Sequence, residues 1–196
     1  MVSFWDLSSR YGRRRMALAA VCPVLSRRAV VCGLAATLVG SGAGTAQATI
    51  VRRLTVFRPA SEEVGYDVPF WWNGAPHANG LAKLDWLMRD VNARQVRPID
   101  LRIYYLLALV QAEFGGQPIL ITSGYRTQAT NDWLRQQGID AARNSFHLHG
   151  QAADITIPGV SPPRIAAFGS ILGMGGVGVY PSFVHLDTGR QRFWRG

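Results

Sequence analysis

Three side chains that could bind a metal ion are concentrated in two short stretches of the sequence. His147 and Asp154 are seven residues apart, and His185 follows 31 residues after Asp154. A catalytic zinc ion usually takes three protein ligands and keeps its fourth position for water, and two imidazoles with one carboxylate form such a set. The residue types and their spacing therefore predict one zinc ion per chain and a hydrolytic reaction.

Predicted strands give these side chains a common direction. Asp154 lies in a predicted strand over 152–157, and His185 lies in another over 183–187. Successive side chains of a strand point to opposite faces, so Asp154 and His185 can point into one cleft if the two strands are neighbours. His147 would reach this cleft from the preceding loop. The simpler alternative is that these are unrelated polar residues on half-buried strands.

The remaining pattern predicts an α+β fold, with a small antiparallel sheet that carries the zinc cleft and helices that flank it. An N-terminal β-hairpin is expected, and residues 49–196 should form one domain. The predictions rest on alternating residues for strands and on helical spacing with capping residues for helices. The further strands are predicted over 53–58, 64–72, 118–122 and 175–180, and the helices over 79–93, 101–114, 128–137 and 162–172.

Residues 1–48 differ in composition from the rest of the chain. Basic residues are followed by an apolar run of about 16 residues and by Ala46-Gln47-Ala48, which is the pattern of a secretory signal peptide. The Arg27-Arg28 pair indicates the twin-arginine type. The run is shorter than the roughly 20 residues that span a bilayer; an uncleaved anchor and a start at Met16 are alternatives. We therefore expect twin-arginine export to the periplasm or cell envelope, cleavage after Ala48 and no stable membrane insertion afterwards.

The net charge limits the kinds of partner that the protein can bind, and the cysteine content limits its chemistry. The formal net charge is +9, of which +5 falls within residues 1–48 and +4 within residues 49–196. A mild positive charge without a basic run argues against nucleic acid binding and suits an anionic cell-wall polymer. Both cysteines, Cys22 and Cys32, lie in the leader, so residues 49–196 can form no disulfide and have no catalytic thiol. We expect a monomer.

Residues 145–154 carry a motif that extends beyond the metal ligands. They fit the pattern S-x-H-x-x-G-x-A-x-D, which is similar to the signature of the D-alanyl-D-alanine carboxypeptidase/VanX superfamily of zinc peptidases. Residues 123–126, Ser-Gly-Tyr-Arg, resemble the substrate-binding segment of that superfamily. Residues 72–74 and 180–189 resemble its twin-arginine-exported murein endopeptidase K branch. The resemblance covers nearly all of residues 49–196.

The resemblance implies both the roles of individual residues and the reaction. The metal ligands would be His147, Asp154 and His185. The substrate-binding residues would be Ser123, Tyr125, Arg126 and Ser145. The implied substrate is peptidoglycan and the implied reaction is hydrolysis of stem-peptide crosslinks, with a bond between two diaminopimelate residues expected for this branch.

Arg126 is the predicted cation of the reaction. It would stabilise the oxyanion that forms on the scissile carbonyl, or it would bind a substrate carboxylate through two hydrogen bonds. The alternative is an ordinary surface arginine beside a strand end. Ser123 and Ser145 could equally be hydroxyls that stabilise turns.

Two residues are candidates for the general base. Most superfamily members have an acidic residue shortly before the last zinc histidine, but no Asp or Glu lies between Asp154 and His185 here. Asp187 shares a strand face with His185, so it could accept a proton from water or orient the imidazole. His149 is the other candidate, either as base or as the group that protonates the leaving amine.

Two other functions fit the same motifs. The missing upstream acid favours a cell-wall-binding module that keeps its metal without turnover. A D-alanyl carboxypeptidase of the same superfamily would differ only in the bond that it cleaves. Digestion of intact crosslinked peptidoglycan separates the three functions. An endopeptidase removes crosslinks, a carboxypeptidase releases terminal alanine, and a binding module gives no products.

Overall fold

A mixed sheet of eight strands runs through the part of the chain that the structure describes. The computed structural model describes residues 51–139 and 141–196, which all belong to one compact unit, Ala46–Gly196. The predicted signal peptide, with Arg27-Arg28 and both cysteines, lies outside the described residues. No helix within the described ranges is long and apolar enough to cross a bilayer.

The strands do not follow one another in chain order across the sheet. The order is β3-β2-β1-β4-β5-β7-β6-β8, with β1/β4 and β6/β8 parallel and the other neighbours antiparallel. The α+β class is confirmed, although the sheet is larger than expected and mixed. The strands are β1 (Val51–Arg58), β2 (Glu63–Trp72), β3 (Ala75–Pro76), β4 (Ile119–Ser123), β5 (Ala152–Thr156), β6 (Gly176–Val179), β7 (Val184–Asp187) and β8 (Arg192–Arg195).

Four α-helices and one 3₁₀ turn accompany the sheet. They are α1 (Ala78–Leu87), α2 (Leu101–Glu113), α3 (Gln128–Gln136), α4 (Pro162–Leu172) and the 3₁₀ helix Phe146–His149. The helix predicted over 79–93 is wrong at its end, because the chain turns after Leu87. The Asp90 carboxylate accepts hydrogen bonds from the backbone N–H groups of Asn92 and Ala93, and such local bonds compete with a continuing helix.

Helix α2 is the buried helix, as its nearly uniform apolar sequence predicts. Ile103, Tyr104, Leu107 and Val110 are all buried in the core. Asp100 caps the helix as predicted, because its side chain accepts a hydrogen bond from the Arg102 N–H at 3.0 Å. Burial of each large side chain stabilises the fold by roughly 1.5–3 kcal/mol, so α2 fixes the sheet from which the candidate site is built.

A polar cluster at Glu63 attaches the β1–β2 hairpin to α1. The Glu63 carboxylate accepts hydrogen bonds from Ser61, Arg89 and Trp86 at 2.6, 2.7 and 2.9 Å. These bonds lower the pKa of Glu63 to about 2. The carboxylate therefore stays charged over the whole neutral range and holds the hairpin in place.

Candidate active site

Strands β5 and β7 bring Asp154 and His185 together. The two strands pair antiparallel, and Asp154 lies directly opposite His185 in their register. The expectation that these strands are neighbours is confirmed. Directly opposed residues of an antiparallel pair have their Cβ atoms about 4.5–5.5 Å apart on the same face, so both side chains reach one point.

The 3₁₀ helix Phe146–His149 brings His147 to the same point. Ser145 caps this helix, because its side chain accepts a hydrogen bond from the His147 N–H at 3.3 Å. Gly150 ends it with a φ of 66°, and a Cβ atom there would lie 2.8 Å from the Pro98 carbonyl oxygen. Because an L side chain is strained at that φ and has no room here, glycine is required.

Three potential ligand atoms converge where these elements meet. His147 Nε2 lies 3.1 Å from Asp154 Oδ1 and 3.2 Å from His185 Nδ1. His185 Nδ1 lies 2.8 Å from the same Asp154 oxygen. These residues form a group that could hold a metal ion, and His147 and Asp154 are almost completely buried.

The outer nitrogen of each imidazole determines which inner nitrogen has a free lone pair. His147 Nδ1 lies 2.6 Å from the Gly124 carbonyl oxygen, which can only accept, so Nδ1 carries the hydrogen. His185 Nε2 lies 3.0 Å from Asp187 Oδ2, which likewise accepts. While both rings are neutral, the inner nitrogens are acceptors that face a carboxylate oxygen without a hydrogen between them. Three converging acceptors repel one another, and a cation at their centre relieves that repulsion, so the donor set fits a zinc ion.

The ionisation of the cluster follows from burial and from its neighbours. Burial lowers the pKa of His147 and favours the neutral ring. Burial alone would raise the pKa of Asp154, but the neighbouring imidazoles hold it well below its usual range. Burial would also lower the pKa of His185, but hydrogen bonds to Asp154 and Asp187 outweigh it and raise that pKa. Asp154 is therefore a carboxylate at every physiological pH.

Asp187 is completely buried on the far side of the His185 ring. Besides His185, its oxygens accept hydrogen bonds from the Gly176 and Gly189 N–H groups and from both terminal nitrogens of Arg192. Burial would raise the pKa of Asp187, but these bonds keep it well below its usual range. Protein donors therefore occupy the acceptor capacity of the carboxylate, and the His185 imidazole is one of them.

Comparison with known proteins assigns the chain to a family. The model of the peptidoglycan L,D-endopeptidase MepK family matches residues 46–194. The chain belongs to this family. It is 38% identical over 120 residues to the probable peptidoglycan L,D-endopeptidase MepK of Haemophilus influenzae, a match that covers 59% of this chain and 64% of that relative. It is also 38% identical over 117 residues to the peptidoglycan L,D-endopeptidase MepK of Escherichia coli K12, covering 58% and 64%.

An open cleft of about 650 Å³ lies at the three converging ligand atoms. Arg126 lines this cleft, donating to Asp154 Oδ2 at 2.6 Å and to Ser123 Oγ at 2.8 Å. Because Arg126 holds Oδ2, the other oxygen of Asp154 faces the two histidines. Ser145 also lines the cleft, whereas Ser123 contacts it only through Arg126.

Two predicted site residues lie elsewhere. His149 and Tyr125 line a separate shallow hollow, together with Arg97 and Gln151. A 3₁₀ helix has about three residues per turn, so residues two apart point about 120° away from each other. His149 therefore leaves the helix in a different direction from His147.

Sequence reasoning missed the contribution of β8 to the site. Arg192 forms an ion pair with Asp187 at 2.7 Å, and the Trp194 ring lies 5.2 Å from the His185 ring. Both residues line the cleft. The available signal was the aromatic pair Phe193-Trp194 between two arginines, which is a weak signal in only four residues.

Proposed function

We propose that the protein is a zinc peptidase that hydrolyses stem-peptide crosslinks of peptidoglycan, with the bond between two diaminopimelate residues as its target. The convergence of His147 Nε2, Asp154 Oδ1 and His185 Nδ1 within 3.2 Å of one another carries the proposal. Family membership and relatives named peptidoglycan L,D-endopeptidase support the choice of substrate. The matched segment spans 64% of each of these relatives.

In this proposal the three converging atoms hold one zinc ion. When bound, zinc lowers the pKa of a water to about 7 and polarises a carbonyl group. Gly124 and Asp187 hold the two imidazoles in the tautomers that direct a lone pair inwards. Such partners of metal ligands fix ring orientation and raise ligand basicity.

Arg126 serves two purposes in the proposed reaction. Its ion pair with Asp154 holds Oδ2 of that carboxylate and leaves Oδ1 turned towards the metal position. Its side chain is 15% exposed at the cleft, so its positive charge acts on the oxygen that becomes negative during attack on the peptide carbonyl. A preorganised donor at such a position typically accelerates the reaction by about 10²–10³.

Asp187 is proposed to position His185. A general base must come within hydrogen-bonding reach of the water that it deprotonates, and the contacts of Asp187 with Arg192 and two backbone N–H groups favour the positioning role instead. His149 remains a proposed participant, and its place in the second hollow favours contact with a more distant part of the substrate. Ser123 and Ser145 are proposed to support the site through Arg126 and the 3₁₀ helix, and Tyr125 to contact substrate from the hollow.

Digestion of intact crosslinked peptidoglycan tests the proposal. Purified protein with zinc should reduce the amount of crosslinked muropeptide dimers, identified by mass, and His147→Ala should abolish this activity. His77→Ala is the matched control, because His77 caps α1 through a bond to the Gly80 N–H and does not line the cleft. Release of terminal alanine would instead identify a carboxypeptidase, and binding without products would identify a wall-binding module.

Location and assembly state complete the proposal. We propose twin-arginine export to the periplasm or cell envelope, removal of residues 1–48, no stable membrane insertion afterwards and a monomeric product. The Arg27-Arg28 pair supports the route, and a peptidoglycan substrate supports the compartment. Cell fractionation and light scattering of the purified protein test these two parts separately.

A further inference from the structure

Tyr180 lines the cleft with an unusually well-fixed ring. The ring stacks on Phe183, with centroids 4.4 Å apart and an interplanar angle of 10°. The backbone of Gly196 also lies against it, so closely that a Cβ atom at that position would overlap the ring. The position of the phenol is therefore set before any ligand arrives.

Trp194 fixes the direction of the Tyr180 hydroxyl. The indole Nε1–H of Trp194 donates a hydrogen bond to the Tyr180 oxygen at 3.0 Å. An indole N–H can only donate, so the phenol oxygen is the acceptor and its own O–H remains available. Within residues 51–139 and 141–196, no acceptor is bonded to that O–H. Trp194 is itself held, since its ring packs on Gly178 and lies 5.2 Å from the His185 ring.

The two arginine side chains that line the cleft differ from Tyr180, because each is already paired within the protein. Arg126 is paired with Asp154 and Arg192 with Asp187, at 2.6 and 2.7 Å. Each of these charges is thus already balanced in part by a carboxylate of the protein. The Tyr180 O–H is a neutral donor in the same cleft with its hydrogen free for a ligand, and a fixed donor selects a ligand by the place of its acceptor atom.

We propose that Tyr180 donates a hydrogen bond to an acceptor oxygen of the stem peptide beside the scissile bond, and so determines how the substrate is positioned. This inference rests on the proposed peptidase function. The acceptor is a peptide carbonyl or a free carboxylate of the substrate, which share the same chemistry towards a phenol. Tyr180 is thereby a specificity-determining residue, fixed by Trp194 and Phe183.

Tyr180→Phe tests the inference, because it removes the hydroxyl and keeps the ring between Phe183 and Gly196. With purified crosslinked muropeptide dimers, kcat/KM should fall about three- to tenfold, chiefly through a higher KM. Zinc content and Tm should match the wild type. Tyr66→Phe is the control, because Tyr66 is 78% exposed on β2 and does not line the cleft. A kcat/KM for Tyr180→Phe within twofold of the wild type overturns the inference.

Substrate variants identify the acceptor. If the acceptor is a carboxylate, amidation of that group should lower the kcat/KM of the wild type about tenfold and leave that of Tyr180→Phe nearly unchanged. If the acceptor is a carbonyl, amidation should change the kcat/KM of both proteins by the same factor. The difference in kcat/KM between the wild type and Tyr180→Phe should then persist. Either result supports the inference. Equal kcat/KM values for the wild type and Tyr180→Phe with every substrate would contradict it.

A binding measurement separates failure of this inference from failure of the proposed function. Calorimetry with the same dimers should show a weaker Kd for Tyr180→Phe than for the wild type. If the wild type binds the dimers without cleaving them and Tyr180→Phe weakens binding, the peptidase proposal fails and the inference stands. If wild type and Tyr180→Phe bind equally well, the inference fails whatever the activity.

Discussion

Asp187→Asn is the most informative single change at the site. In the native protein, Asp187 Oδ2 accepts from His185 Nε2 and Arg192 Nη2, and Oδ1 accepts from Gly176 N, Gly189 N and Arg192 Nη1. An amide has one NH₂ group that must face one of these two sets of donors. Neither orientation satisfies the buried network, and Arg192 loses its ion pair in both.

The size of the effect follows from which donors the NH₂ group faces. If it faces His185, the imidazole must accept at Nε2, and its hydrogen moves to Nδ1, the atom that points to the metal position. Loss of a partner that orients a metal ligand typically lowers metal affinity or activity about 10–100-fold, or about 1.4–2.8 kcal/mol. A donor left unsatisfied in the interior costs a further 1–3 kcal/mol or so of folding stability.

Zinc affinity by chelator competition, kcat at saturating zinc and Tm should be measured together. We expect weaker zinc binding, a lower Tm and a kcat reduced by no more than about 100-fold. Asp67→Asn is the control, because Asp67 is exposed, pairs only with Arg53 among the described side chains and has a φ of 47°, which asparagine tolerates. Unchanged zinc affinity with a loss of about a thousandfold or more in kcat would refute the positioning role and identify Asp187 as the general base.

Three further predictions address the metal, acid stability and export. Purified protein should contain about one zinc per chain, and His147→Ala or chelation should remove both zinc and activity; a metal-free wild type with full activity would contradict this. The pKa of Glu63 is lowered to about 2, so its stabilisation is present above its unfolded pKa and is lost as the pH falls towards 2; Tm measured from pH 6 to 2 should therefore fall less steeply for Glu63→Gln. Cleavage after Ala48 should give the N-terminus Thr-Ile-Val-Arg by sequencing, and normal export of the Arg27→Lys/Arg28→Lys variant would exclude the twin-arginine route.

Local sequence patterns predicted the elements that carry the candidate ligands. Strand alternation put Asp154 and His185 together on the face opposite to the apolar one, because the apolar face of each strand packs in the core. Asp100 was recognisable as a helix cap, because its short acidic side chain precedes an apolar helix. These features depend on neighbours within a few residues, and such patterns are visible in a sequence.

Features that depend on distant pairing or on side-chain torsions were not predictable. Strand β8 is defined by parallel pairing with β6, and its four residues give no clear periodicity. Alternation correctly placed Asp187 on the face of His185, but it could not tell which nitrogen of the imidazole the carboxylate would contact. That choice depends on Arg192 and on the backbone N–H groups around it. The direction of the His149 side chain was unpredictable for a similar reason, since a loop prediction carries no direction and the 3₁₀ turn supplies one.

The direct opposition of Asp154 and His185 makes the ligand set sensitive to strand register. A slip of one residue between β5 and β7 would turn one of the two side chains to the opposite face of the sheet, even if the strands remained hydrogen-bonded. A bound metal stabilises only the conformation that binds it, so zinc would selectively favour chains with the correct pairing. The supply of metal during folding would then influence which fraction of chains pairs β5 and β7 in the native register. Chains that fold without zinc would have to reach this register through packing alone.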